Sequence, residues 1–184
     1  MLDACPDTLR GQRDRALLAL GFAGAFRRSE LVALRVEDVA EVPDGFRVTI
    51  RRSKTDQDGQ GQEIVIPRGA RLRPVEAVQT WLAAAGITSG PIFRPINKAG
   101  RVVDAALTAE SAASVVKERA GAVGLDPADF AGHSLRAGFL TSAAEAGASV
   151  FKMMEVSRHR SVDTLRGYVR RADMFKDHAG GAFL

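Results

Sequence analysis

The hydrophobic pattern of this chain leaves helical spacing for strict alternation in one stretch, and that stretch limits the fold more than any other feature. Phe46-Arg47-Val48-Thr49-Ile50-Arg51 alternates apolar and polar, as a half-buried strand does, and Glu63-Ile64-Val65-Ile66-Pro67 reads as its partner. Ser53 to Gln62, polar and holding Gly59 and Gly61, forms the long tip of a β-hairpin. On either side the spacing is helical. Helices are expected over residues 8–25, over Glu30–Val36 with Ser29 as N-cap, and over Pro74–Ala85 with Gly86 as stop. Thr108–Val123, Ser134–Ala146 and Val150–Val156 follow, and Ser161 caps a last helix running to about Arg171. Residues 90–103 read as a loop with a short irregular hairpin around Asn97–Gly100. The expected fold class is α+β, mostly helical, with a small antiparallel β-sheet, in a single domain over residues 1–184.

Charge narrows the partners. The chain has 26 Lys and Arg against 22 Asp and Glu. Five of the cations are Lys, so 21 are Arg. Such a surplus suits a polyanion, whose phosphates attract cations and shed counterions on binding. An Arg-rich composition without functional meaning fits the same numbers. Cys5 is the only cysteine, so no disulfide forms within the chain, consistent with a reducing compartment. The apolar run Ala16–Phe26 follows Arg10, Arg13 and Arg15 and superficially resembles a leader. Asp3, Asp7 and Asp14 spoil that pattern, Arg27 and Arg28 end the run, and it is too short to span a bilayer. A buried core helix and a cytoplasmic protein are the expectation.

Several residues could do chemistry. His133 and Arg136 share one face at the first turn of a helix, just after Gly132, where free N–H groups and the dipole favour an anion. A capping turn beside a solvated Arg has the same sequence. Arg27 has Glu30 three residues on, which could hold its guanidinium in one rotamer or simply cap the helix. Lys54 lies where the first strand gives way to the tip, as edge protection or as a mobile proton donor. His159 and Tyr168, nine apart, would lie on opposite faces of one helix. A new helix begun at Ser161 lets both reach one site. Tyr168 is the only tyrosine.

Singly each is ambiguous; in order they are not. Arg27-Arg28-Ser29-Glu30-Leu31, Lys54 on a hairpin, His133-x-x-Arg136, then Arg158-His159 with Tyr168 nine residues on, resembles the tyrosine recombinase, or phage integrase, family over residues 8–175. The family pattern has an Arg before Ser-Glu-Leu, a hairpin Lys, His-x-x-Arg, and Gly-His with a Tyr nine further on. The sequence departs from it twice. Arg158 stands where the family has Gly, and Arg28 where it has an apolar residue. Arg158 is open to two uses, contact with a phosphate or restraint of the turn that aims His159.

The resemblance implies the catalytic-domain fold of that family and site-specific recombination of double-stranded DNA through a 3′-phosphotyrosyl intermediate. Tyr168 is the implied nucleophile, Arg27 and Arg136 the clamps on the phosphate, and His159 a further donor. His133 is the implied base, Lys54 the implied acid, and Glu30 a supporting carboxylate. Arg28, Arg52, Arg158 and Arg160 are the expected further DNA contacts. No metal, cofactor, small-molecule substrate or membrane is expected, since the three His lack metal-ligand spacing and no phosphate-binding loop is present.

Family members carry an N-terminal helical domain that closes around DNA, and this chain begins at the catalytic domain. Weak, salt-dependent DNA binding is therefore expected. Met174, Phe175, Phe183 and Leu184, after Tyr168, could pack on a neighbouring subunit of a tetramer on DNA, or form a frayed tail. Two rival functions remain at this stage. One is DNA relaxation of the type IB topoisomerase kind, and the other is a non-catalytic DNA-binding protein that keeps the fold.

Overall fold

Helix α1 (Leu9–Ala23) is the central support of the computed structural model, which describes residues 1–51 and 61–172. Thr8 caps α1 by accepting from the Gly11 N–H at 3.1 Å. Gly11 is needed there, because a Cβ would stand 1.9 Å from the Pro6 carbonyl oxygen. Ala16 to Leu20 are buried almost completely, so the leader-like run is a core helix. Among the described residues no helix is long and apolar enough to cross a membrane.

Helix α2 (Arg28–Ala33) begins earlier than its spacing suggests. Arg27 is its N-cap, and the Glu30 carboxylate accepts from the Arg27 backbone N–H at 2.9 Å. Ser29, expected to cap, is instead exposed inside the first turn. A carboxylate at the third helical position outcompeted the hydroxyl, because it is charged and faces the free N–H groups.

The sheet has three antiparallel strands in the order β1 (Val39–Val42), β2 (Gly45–Ile50) and β3 (Gln62–Pro67). Val48 sits between Val39 and Ile64. Phe46, Val48, Ile50, Ile64 and Ile66 face the core, as the alternation predicts. β1 is absent from the pattern-based expectation because four half-exposed residues carry too little alternation. Its only announcement is the turn Pro43-Asp44-Gly45 that joins it to β2.

Helix α3 (Pro74–Ala85) ends at Gly86, which takes a φ of +63°. It packs on α1 and donates the Trp81 indole N–H to the Ile92 carbonyl at 2.8 Å. In the loop that follows, Ile96 bridges Val102 around Asn97, the irregular hairpin expected there. Helix α4 (Ala109–Gly121) is capped by Thr108. It is tied to α1 by one buried carboxylate. Asp14 accepts from Arg13 at 2.7 Å and from Arg119 at 2.7 Å, each through two nitrogens.

Helices α5 (Ser134–Glu145), α6 (Val150–Ser157) and α7 (Asp163–Ala172) enclose a second, smaller core of Leu140, Ala144, Met153 and Leu165. The Ser161 hydroxyl accepts from the Asp163 N–H at 3.1 Å, so a new helix starts between His159 and Tyr168. The two cores meet at the α1–α2 corner, where Arg27, Arg136 and His159 come together.

Candidate active site at the corner of two cores

The corner is built around Ala25, whose φ of +44° lies in the left-handed region. For a residue with a Cβ that conformation costs roughly 1 kcal/mol or more. The strained turn aims the Ala25 carbonyl inward. It accepts from Arg136 Nη1 at 2.8 Å and from Arg158 Nη2 at 3.0 Å. One backbone oxygen thus joins the start of α5 to the end of α6.

Glu30 holds the other side. One carboxylate oxygen accepts from Arg27 Nη1 at 2.5 Å, and the other accepts from Arg158 Nη2 at 2.8 Å. Burial by itself would raise the Glu30 carboxyl. The Arg158 charge and the N–H groups of Arg27 outweigh it, and the group titrates below its usual range. Glu30 therefore stays ionised and orients two guanidiniums.

Arg136 is buried, and its Nη2 lies 3.3 Å from both ring nitrogens of His159. Burial, followed by the Arg27 and Arg158 charges, lowers Arg136 to about 10. His159 is half-buried in the turn after α6. Burial, and then Arg136, Arg27 and Arg158, push it down to about 4, so the ring is neutral at pH 7. Cations crowded with too few carboxylates mark a place prepared for an anion.

Tyr168 lies on α7, half-buried against the small core of Leu140, Ala144, Met153 and Leu165. His133 is the exposed N-cap of α5, one turn before Arg136. Arg28 is half-buried and presses on Gly132, where a Cβ would lie 2.9 Å from its guanidinium carbon. Arg160 is exposed on the α6–α7 turn. Lys54 and Arg52 lie outside the described residues.

Arg158 differs from its expected place among the DNA contacts. Its side chain is 1% exposed, and it donates to the carbonyls of Gly24, Ala25 and Val156 and to Glu30. The guanidinium also stacks over Phe26, 5.3 Å from the ring centroid. Only its buried Nε is without a partner, and restraint of the turn before His159 is what the geometry favours. Arg158 takes a φ of +59°, the conformation for which glycine is suited.

One contributor escaped the sequence reading. Ser157 is fully buried, and its hydroxyl lies 2.8 Å from His159 Nδ1. A serine two residues before a histidine is the only trace it leaves in the sequence.

The model of the phage integrase family matches residues 1–174. This chain belongs to the phage integrase, or tyrosine recombinase, family. Among curated members of the family, an integrase/recombinase XerD homologue of Selenomonas ruminantium is 44% identical over 94% of this chain and 51% of that protein. Tyrosine recombinase XerD of Corynebacterium glutamicum is 32% identical over 92% of this chain and 52% of that protein. The chain thus spans about half the length of the curated recombinases it matches. The fold is that of solved recombinases. XerH bound to a palindromic difH substrate, in a post-cleavage complex, superposes with a TM-score of 0.74 at 17% identity, over 94% of this chain and 47% of that one. XerA recombinase superposes with a TM-score of 0.70 at 17% identity, over 97% of this chain and 60% of that one.

Proposed function

We propose that residues 1–184 form the catalytic domain of a site-specific recombinase, which breaks and rejoins double-stranded DNA through Tyr168. The observation that carries this reading is the convergence of Arg27, Arg136 and His159 from three separate elements, with Tyr168 carried by α7, which packs on the helix α5 that holds Arg136. The names of the relatives, recombinases of the XerC and XerD kinds, support the same class.

A DNA phosphodiester already carries negative charge, and its five-coordinate transition state concentrates more on the non-bridging oxygens. Arg27 and Arg136 grip those oxygens, since guanidinium stays charged and donates in a planar fork. His159 adds a hydrogen bond. Fixed donors of this kind supply on the order of 3 kcal/mol each. The Tyr168 Oη attacks phosphorus, the O–P bond forms, and the bond to the 5′ oxygen breaks. His133 takes the phenol proton and Lys54 gives one to the leaving oxygen. Reversal with a 5′ hydroxyl from another strand rejoins the DNA. The phosphotyrosyl bond stores the energy, so no nucleotide triphosphate is consumed.

Arg28 and Arg160 border this centre and serve as further phosphate contacts. Arg52 belongs to the same set. Assembly of four copies on DNA through the segment after Tyr168, and a cytoplasmic location, complete the reading.

The test offers the protein a nicked half-site duplex, whose cleaved fragment diffuses away, and then denatures the mixture. A protein–DNA adduct mapping to residue 168, absent from Tyr168→Phe, is expected. Failure to form an adduct on any half-site, or an adduct that survives Tyr168→Phe, overturns the proposal.

A further inference from the structure

Ser157 closes α6 with its side chain entirely inside the protein. Its hydroxyl donates to the Met153 carbonyl at 2.5 Å and also lies 2.8 Å from His159 Nδ1. A hydroxyl has one proton. With that proton on Met153, Oγ turns a lone pair toward the ring, so Nδ1 must carry the hydrogen of that contact.

Arg136 excludes a doubly protonated ring and leaves the choice of tautomer to Ser157. Its Nη2 lies 3.3 Å from both ring nitrogens, and a guanidinium only donates. A ring protonated at both nitrogens would offer it no acceptor. With Nδ1–H engaged by Ser157, Nε2 is the acceptor. The charged groups around the ring oppose an imidazolium as well. Arg136 on α5, Arg27 at the start of α2 and Arg158 in the same turn are all cationic. Glu30 is already held by Arg27 and Arg158. Without DNA, His159 therefore presents a bare Nε2. A phosphate oxygen is itself an acceptor and needs the reverse.

We infer that Ser157 is a positioning residue that sets the tautomer of His159. Its hydroxyl holds Nδ1–H while the site is empty of phosphate. It turns from Met153 to donate to Nδ1 when a phosphate engages Arg136. The ring then gives Nε2–H to the phosphate oxygen. One proton leaves Nδ1 for water and one arrives at Nε2 from water, so the ring stays neutral and the net uptake is zero. The Ser157–His159 hydrogen bond reverses direction, the one to Met153 is given up, and the new Nε2–H bond to the phosphate replaces it. The functional half of this inference rests on the recombinase reading, and the tautomer of the free protein does not.

The test is the nitrogen–proton spectrum of the full chain with labelled histidine at pH 7. It is recorded free and, as Tyr168→Phe, bound to the nicked half-site. The expected His159 signals are Nδ1–H in the free protein and Nε2–H in the complex. Ser157→Ala is expected to lose the free-state preference. It should slow adduct formation about tenfold or more at unchanged half-saturating DNA, as loss of an orienting partner typically does. Ser157→Thr, which keeps the hydroxyl, is expected to restore both. Nε2–H in the free wild-type protein overturns the inference, whatever Ser157→Ala does to folding. So does an imidazolium in the complex, or a Ser157→Ala rate equal to wild type. If the wild-type protein forms no adduct at residue 168 although its free tautomer is Nδ1–H, the recombinase reading fails. The switching half then falls with it, while the free-state half stands.

Discussion

The Glu30 carboxylate and the Arg158 guanidinium meet at 2.8 Å although 128 positions separate them, and neither side chain is more than 3% exposed. The pair joins the first core to the second and fixes the turn from which His159 projects. Removing one partner of such a pair leaves a buried charge without its counterion, which typically costs about 3–5 kcal/mol. Glu30→Ala and Arg158→Met are each expected to destabilise by that order. The double variant should lose clearly less than the sum. Denaturant unfolding of the four proteins reads the coupling, and strictly additive losses would contradict it.

Arg136 is not interchangeable with lysine. One arm of its fork is engaged by the Ala25 carbonyl and the other faces His159. An ammonium cannot span both positions and still clamp a phosphate. Arg136→Lys is expected to slow adduct formation by about two to three orders of magnitude, the loss typical of one aimed donor. Quenched-flow cleavage of the nicked half-site measures it, and a rate near wild type would exclude Arg136 from the clamp.

His159 makes stability depend on acid. Its folded pKa of about 4 lies below the 6.5 of the free side chain. Between those values the unfolded chain binds a proton that the native ring refuses, so stability falls as pH drops through that window and levels off below it. The lowered Glu30 carboxyl acts in the same direction, beginning below its ordinary value of 4.5. Replacing His159 by Gln removes the first contribution only. The unfolding free energy of His159→Gln should therefore decline less steeply than that of wild type between pH 6.5 and 5, in a denaturant series. Parallel curves would show that the ring titrates normally.

Leu165 anchors the helix that carries Tyr168. It is fully buried in the small core, beneath the half-buried phenol. Leu165→Ala should cost about 2–5 kcal/mol, concentrated in the α5–α7 core. Adduct formation is expected to fall more than DNA binding, because the proposed nucleophile loses its seat while the guanidiniums keep theirs. Hydrogen exchange localised to α7, together with the ratio of cleavage to binding, tests this. An equal loss of both would mean that the two cores unfold as one.

Much of this was legible in the chain before folding. Helical spacings and glycine stops located α1 and α3 to α7, since those signals are local and repeat every few residues. The period-two run at Phe46–Arg51 located β2 and, with it, β3. β1 was illegible because its pairing with β2 is what makes it a strand, and four residues hold no period of their own. The identities at Arg27, His133, Arg136, His159 and Tyr168 were readable as ordered spacings. The inward turn of Arg158 was not, nor was the Ser157 hydroxyl against His159.

The sequence by itself determined which groups are available: the cations, the imidazoles and the single phenol, in an order that names a family. Only tertiary structure decided how they are used. It turned Arg158 from surface to interior and made Ala25 a shared acceptor. It also set His159 neutral among three guanidiniums. The physical reason is range. Periodicity, caps and turns are decided within a few residues, whereas burial and charge pairing depend on neighbours more than a hundred positions away.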